Sequence, residues 1–114
     1  MKQGKVWGST SEIFTFNNVS INRIEIIKGA SCSKHYHDYK YNVFFVESGK
    51  LLIKDWQTDY NLIDETILNP GEKCIIPPKH YHKFIALEDS VAYEIYYVQL
   101  ENNDIYREDC GSKE

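Results

Sequence analysis

Two histidine pairs, His35-Tyr36-His37 and His80-Tyr81-His82, contain every histidine of this 114-residue chain, and they constrain its fold more than any other feature. Successive side chains point to opposite faces of a β-strand, so a His-x-His spacing turns both imidazoles to one face. Two same-face pairs on separate strands suit a metal ion held between those strands. The residues around the pairs are punctuated in a regular way. Gly29 is followed after five residues by His35, then His37, then after four residues Asn42, and after six more Gly49. The later segment runs from Gly71 over five residues to Pro77, with His82 five positions further on.

The rest of the chain reads as short strands separated by turn signals. Ile13-Phe14-Thr15-Phe16 stops at Asn17-Asn18, and the run from Val19 to Ile27 stops at Lys28-Gly29. An apolar strand from Asn42 to Val46 turns at Ser48-Gly49 into Leu51-Leu52-Ile53, which predicts a hairpin. Residues 57–63 predict the longest loop and 64–68 a short strand, before the turn Asn69-Pro70-Gly71. Cys74 to Pro77, His80 to Leu87 and Val91 to Leu100 complete the set, the last rich in β-branched and aromatic residues. No stretch keeps a 3.6-residue apolar period. Eight to ten short strands therefore predict an all-β sandwich or barrel, a single domain over residues 1–114 with an N-terminal strand region at 1–18. The polar tail at 101–114 is expected to be loose or partly helical.

Composition excludes several classes of function. The 13 Lys and Arg against 17 Asp and Glu give a net charge of −4 without a basic block, so nucleic acid is not an expected partner. No run approaches the length of apolar sequence a membrane helix needs. Cys32, Cys74 and Cys110 are odd in number and lack a Cys-x-x-Cys spacing, which predicts free thiols in a reducing, cytoplasmic setting. The opening residues lack the apolar stretch of a signal peptide. The exposed edge expected at Ile13-Phe16 predicts a homodimer in which N-terminal strands pair.

The two punctuated segments resemble the paired signature motifs of cupins, with Asn42 where the first motif usually has Glu and Lys79 where the second usually has Gly. The resemblance implies a jelly-roll β-barrel with the histidines inside. Further pieces look like the cupin domain of type II mannose-6-phosphate isomerases: Lys5-Val6-Trp7-Gly8 at the start, Gly29, Ser31, His35 and His37, the turn Val46-Glu47-Ser48-Gly49, Ile76-Pro77 before His82, and Val98-Gln99 with Asp104-Ile105-Tyr106-Arg107-Glu108-Asp109-Cys110-Gly111 at the end. That family typically has Gln where Ser33 stands and an acidic residue soon after the second histidine, where this chain has Asp38.

For chemistry, His35, His37 and His82 are the expected metal ligands, with Asn42 as the fourth. Imidazole nitrogens suit a divalent transition metal such as Zn, Fe, Ni or Mn, and three of them leave coordination positions for a substrate. The expected ligand is a polar small molecule, first a sugar or sugar phosphate undergoing aldose–ketose isomerisation. His80, Glu94 or a tyrosine are the candidates for the acid–base group. A three-His iron oxygenase and a non-catalytic metal- or sugar-binding module are the alternatives. Lys34 and Lys83 alternate with the inward positions and are expected to face solvent.

Overall fold

In a computed structural model the described residues are 2–56, 62–98 and 105–113. They form two antiparallel sheets without a helix. One has six strands, in the order β1 (Lys2–Lys5), β2 (Gly8–Phe16), β3 (Val19–Ile26), β10 (Ser90–Val98), β5 (Lys40–Ser48), β8 (Lys73–Ile76). The other has five, in the order β11 (Tyr106–Arg107), β4 (His35–Tyr36), β9 (Tyr81–Ala86), β6 (Leu51–Trp56), β7 (Ile63–Leu68). The inner faces close on each other as a jelly-roll barrel. None of the described residues forms a helix long and apolar enough to cross a membrane.

The period-2 pattern decides which side chains fill the barrel. Along β9, His82, Phe84 and Ala86 are buried while Tyr81, Lys83 and Ile85 are half-buried. His82 therefore belongs to the same inward row as two core residues. β5 contributes Asn42, Phe44 and Val46 to the facing row. Phe44 meets Phe84 across the barrel edge-to-face, with 5.9 Å between ring centroids, and Trp7 meets Phe84 in the same manner at 5.0 Å. Such pairs add to the stabilisation from buried area.

Most expected boundaries hold within a residue or two, and two regions differ. The N-terminal region holds two strands, because Lys2–Lys5 folds back antiparallel on Gly8–Ser11. Among the described residues, the second half of β2 keeps one uncovered side, where Ile13, Phe14 and Phe16 are exposed. The tail, expected to be loose or helical, instead docks as a strand. Tyr106 and Arg107 pair with Tyr36 and His35, and the Ser31 and Ser112 backbones exchange two hydrogen bonds at 2.9 and 3.0 Å. Asp109 Oδ1 accepts from the backbone N–H of Lys34 and of Gly111. The Ser31–Ser112 bonds and the β11–β4 pairing join main-chain groups distant in sequence, which composition does not encode. Most of the expected loop at 57–63, together with Gln99 and Asp104, lies outside the described residues.

Turn chemistry explains two unusual backbone positions. Gly49 has φ +88°, and a Cβ there would lie 2.3 Å from Ser90 Oγ and 2.4 Å from the Asp89 carbonyl oxygen. Lys79 adopts φ +70° without being glycine, its N–H donating to the His37 carbonyl at 2.6 Å. That bond links the turn before β9 to the strand carrying the first histidine pair. We expect Gly49→Ala to lower stability by about 1–3 kcal/mol, since both strain and collision oppose it, whereas Lys79→Gly should not lower it, because relief of the left-handed conformation offsets the added chain entropy. Urea denaturation midpoints of the two variants check this pair of outcomes.

Candidate metal centre

Register brings the histidines together. His35 on β4 is the direct antiparallel partner of His82 on β9, so the two rings project to the same side of the sheet, into the barrel. His37 follows just after β4. Ring centroids are 4.5 Å apart for His35 and His82, 5.1 Å for His35 and His37, and 5.4 Å for His37 and His82. All three are buried, and one nitrogen of each lies within 4.8 Å of the others, the one group of three or more potential ligands so assembled among the described residues.

The hydrogen bonds set the tautomers. His35 Nδ1 donates to the Ser33 carbonyl at 2.7 Å, and His82 Nδ1 donates to the His80 carbonyl at 2.9 Å. Each Nε2 is then left as a lone-pair donor, the arrangement found in metal-ligating histidines that are oriented by a second hydrogen bond. Nε2 of His35 and Oδ1 of Asn42 are buried without a hydrogen-bond partner. A buried polar atom in that condition costs about 1–3 kcal/mol, and a cation bound there would remove the cost. Neutral nitrogen donors and an orphaned lone pair fit a divalent transition ion.

Asn42 stands beside the cluster, fully buried. Its amide nitrogen lies 3.4 Å from His82 Nε2 and donates to Glu94 Oε2 at 3.2 Å. Tyr96 O–H donates to the same Glu94 oxygen at 2.7 Å, and Lys40 Nζ sits 4.4 Å from the Tyr96 ring centroid. Tyr96 also meets His37, with ring centroids 5.5 Å apart. Thus β10 sets a buried carboxyl one side chain behind the imidazoles. Burial pushes the Glu94 carboxyl above its usual range, with the bonds from Tyr96 and Asn42 opposing. Burial, then the Glu94 charge, pushes the Tyr96 hydroxyl well up.

A cavity of about 570 Å³ reaches this group from one side. His35, Glu94 and Tyr96 line it, together with Trp7, Phe84 and Arg107. His37, His82 and Asn42 are not among its lining residues. His80 is not part of the lining. Its Nδ1 lies 2.8 Å from Asp55 Oδ1, both side chains being mostly buried. Lys34 is turned outward, as expected, its Nζ 2.6 Å from Glu108 and 4.4 Å from the Trp56 ring centroid. Sequence reasoning missed the docked Arg107, whose Nη1 donates to Ser33 Oγ, and the Asp55 partner of His80. The period-2 match of Asp55 with the inward row Leu51-Ile53 was the available signal.

A family profile described as a cupin domain matches residues 22–98. The chain belongs to the cupin domain family. No curated protein matches it in sequence. Among solved structures, the cupin is similar to the capsular polysaccharide assembling protein CapF from Staphylococcus aureus, with 23% identity and a TM-score of 0.80, over 94% of this chain and 31% of CapF. It is similar to oxalate decarboxylase from Bacillus subtilis, with 13% identity and a TM-score of 0.82, over 95% of this chain and 30% of that one. KdgF from a Halomonas species matches at 16% identity and a TM-score of 0.77, over 90% of this chain and 89% of its own. The cupin thus spans about a third of the length of CapF and of the decarboxylase. At these identities the likeness is one of fold.

Burial also makes the centre acid-sensitive. It holds His35 down to about 2 and His82 down to about 4, from an ordinary 6.5, with the neighbouring imidazoles adding to the shift. Below pH 6.5 the unfolded chain therefore binds protons that the folded chain refuses, and stability falls as pH falls from about 6.5 toward 4 and below. Glu94, with its carboxyl pushed up, acts in the opposite sense and recovers part of the loss. In metal-free protein we expect the loss between pH 6.5 and 4 to be smaller in His82→Gln than in the parent, as read from urea midpoints across that range.

Proposed function

We propose that this chain is a metal-dependent cupin acting on a polyhydroxylated small molecule, with aldose–ketose isomerisation of a sugar or sugar phosphate as its reaction. The observation that carries the reading is the meeting of three neutral, buried imidazoles beside a cavity that is also lined by a buried carboxyl. The likeness of both ends of the chain to the cupin domain of type II mannose-6-phosphate isomerases supports the substrate class. One similar fold belongs to a protein described as assembling a capsular polysaccharide.

His35, His37 and His82 would hold the ion, with Asn42 adjoining. A bound divalent ion supplies Lewis acidity toward carbonyl and hydroxyl oxygens. The chain's own contribution to isomerisation is a group that takes a proton from one carbon and returns it to its neighbour. Glu94 suits that role better than His80, because it lines the cavity and burial raises its proton affinity above that of an ordinary carboxyl. Tyr96 and Asn42 both donate to one carboxylate oxygen and so orient the group. The assembly proposed with this reading is a homodimer joined through the uncovered side of β2, and three unpaired thiols suit a cytoplasmic setting.

Two measurements test the reading. Elemental analysis and calorimetric titration of metal-stripped protein at one pH should give one divalent transition ion per chain, with His37→Ala and His82→Ala abolishing stoichiometric binding while the barrel stays folded. Unchanged affinity in both variants would overturn the metal assignment. Asn42→Glu should tighten binding by adding a negative oxygen, and more so together with Glu94→Gln, because two buried carboxylates side by side repel. For the reaction, deuterium exchange into a panel of hexoses and hexose phosphates should accompany interconversion. Glu94→Gln should lower turnover about 10²-fold or more at unchanged metal content. Full metal occupancy without turnover of any panel member would favour a binding module, and oxygen uptake by an iron-loaded protein would favour an oxygenase. Light scattering should give twice the chain mass at micromolar concentration, and Phe14→Glu with Phe16→Glu should halve it.

A further inference from the structure

The cavity beside the histidines carries two cations that the proton chemistry does not use. Arg107 on β11 is the direct antiparallel partner of His35, and directly opposed residues of such a pair project to the same side. The residue as a whole is exposed, and its guanidinium lines the cavity on the imidazole's side. It is held there by a built arrangement. The segment after it is fastened to the β4 region by the Ser31–Ser112 bonds, by Glu108 N–H donating to the Lys34 carbonyl at 2.9 Å, and by Asp109. Gly111 permits this docking, since with φ +78° a Cβ would lie 2.7 Å from the Ser31 carbonyl oxygen.

Lys5, at the end of β1, lines the same cavity from the opposite sheet. Among the described residues, neither Lys5 nor Arg107 has a carboxylate within 4.0 Å. Lys2, Arg23, Lys34, Lys50 and Lys54 each do. Glu94 also lines the cavity, but it is buried and takes hydrogen bonds from Tyr96 and Asn42. One Arg107 nitrogen donates to Ser33, and a guanidinium has five N–H donors in a planar fork suited to phosphate and carboxylate.

We propose that Arg107 and Lys5 form an oxyanion subsite, so that the ligand is a polyhydroxylated small molecule bearing a phosphate or carboxylate. This rests on the reading of the site given above for the polyol end, while the anion end stands on the two cations themselves. Trp7 and Phe84 line the same cavity and would pack against the face of the carbon chain or ring.

The test uses the full chain in metal-loaded and metal-stripped forms, titrated calorimetrically with inorganic phosphate, glucose 6-phosphate, glucuronate and glucose. We expect metal-stripped protein to bind inorganic phosphate, and one anionic sugar to bind about tenfold or more tighter than glucose. Which of the two wins identifies the anion. The preference should shrink as salt is raised. Lys5→Gln and Arg107→Gln should each reduce it, and Arg107→Lys should keep only part, having the charge without the fork. Because Arg107 also supports Ser33, circular dichroism and metal stoichiometry are read for each variant. If Arg107→Gln disturbs either, Lys5→Gln and Arg107→Lys decide. Equal affinity for glucose and both anionic sugars, or an undiminished preference in Lys5→Gln and Arg107→Lys, would overturn the subsite. Since anion binding is read without metal, that failure is distinct from loss of the metal assignment.

Discussion

The constraint on which the rest of this cupin depends is the register that sets His35 directly opposite His82. An antiparallel slip by one residue would turn either strand's inward row to solvent, and with it a histidine together with Phe84 and Ala86. The register is defended from both sides. Phe84 and Ala86 fill the barrel next to His82, and the Lys79 turn is bonded to the His37 carbonyl immediately before β9 begins. The same alternation that builds the core thus places the imidazoles, and no separate scaffold is needed to hold them.

Burying three imidazoles side by side is tolerable only while they are neutral, and the backbone arranges for that. Two of the rings give their one N–H to a carbonyl two residues earlier in their own chain segment. This leaves the second nitrogen turned inward, without solvent and, for His35, without a partner. A domain that carried such an atom for packing alone would lose stability for no return, since an apolar residue of similar size would fill the space without the desolvation penalty. The unpartnered His35 Nε2 and Asn42 oxygen fit a cation at this position, which would satisfy both.

Much of this was legible in the sequence because it rests on local rules. Two His-x-His spacings, period-2 alternation and the turn residues Asn17, Gly49 and Gly71 each act within a few positions and point to an all-β sandwich or barrel, while the likeness to the cupin motifs implied the jelly roll with the histidines inside. What escaped was set by pairings between distant segments. Arg107 lines the cavity because β11 completes the edge of the second sheet beside β4, and a polar tail offers no periodicity from which to see that. The bond from Asn42 to Glu94 depends on β10 lying next to β5, a neighbour 52 positions away. His80 looked equivalent to His82 at a spacing of two, yet the left-handed Lys79 turn separates it from the strand and leaves it beside Asp55.

The placement of negative charge gives the site its chemical character. With Asn42 at the position where the cupin motif usually has Glu, a bound dication would meet neutral donors alone in the cluster. The carboxyl is present nonetheless, one hydrogen bond further out, on Glu94. A carboxylate that ligates a cation is kept ionised by it and is poorly able to carry a proton, because the adjacent positive charge stabilises its charged form. Glu94, behind an amide, would feel that charge less, and its burial already raises its proton affinity. Attraction for a metal and capacity for a proton are competing uses of one carboxyl in a space this small. In this chain the amide at position 42 separates them, weakening the first to retain the second beside the cavity.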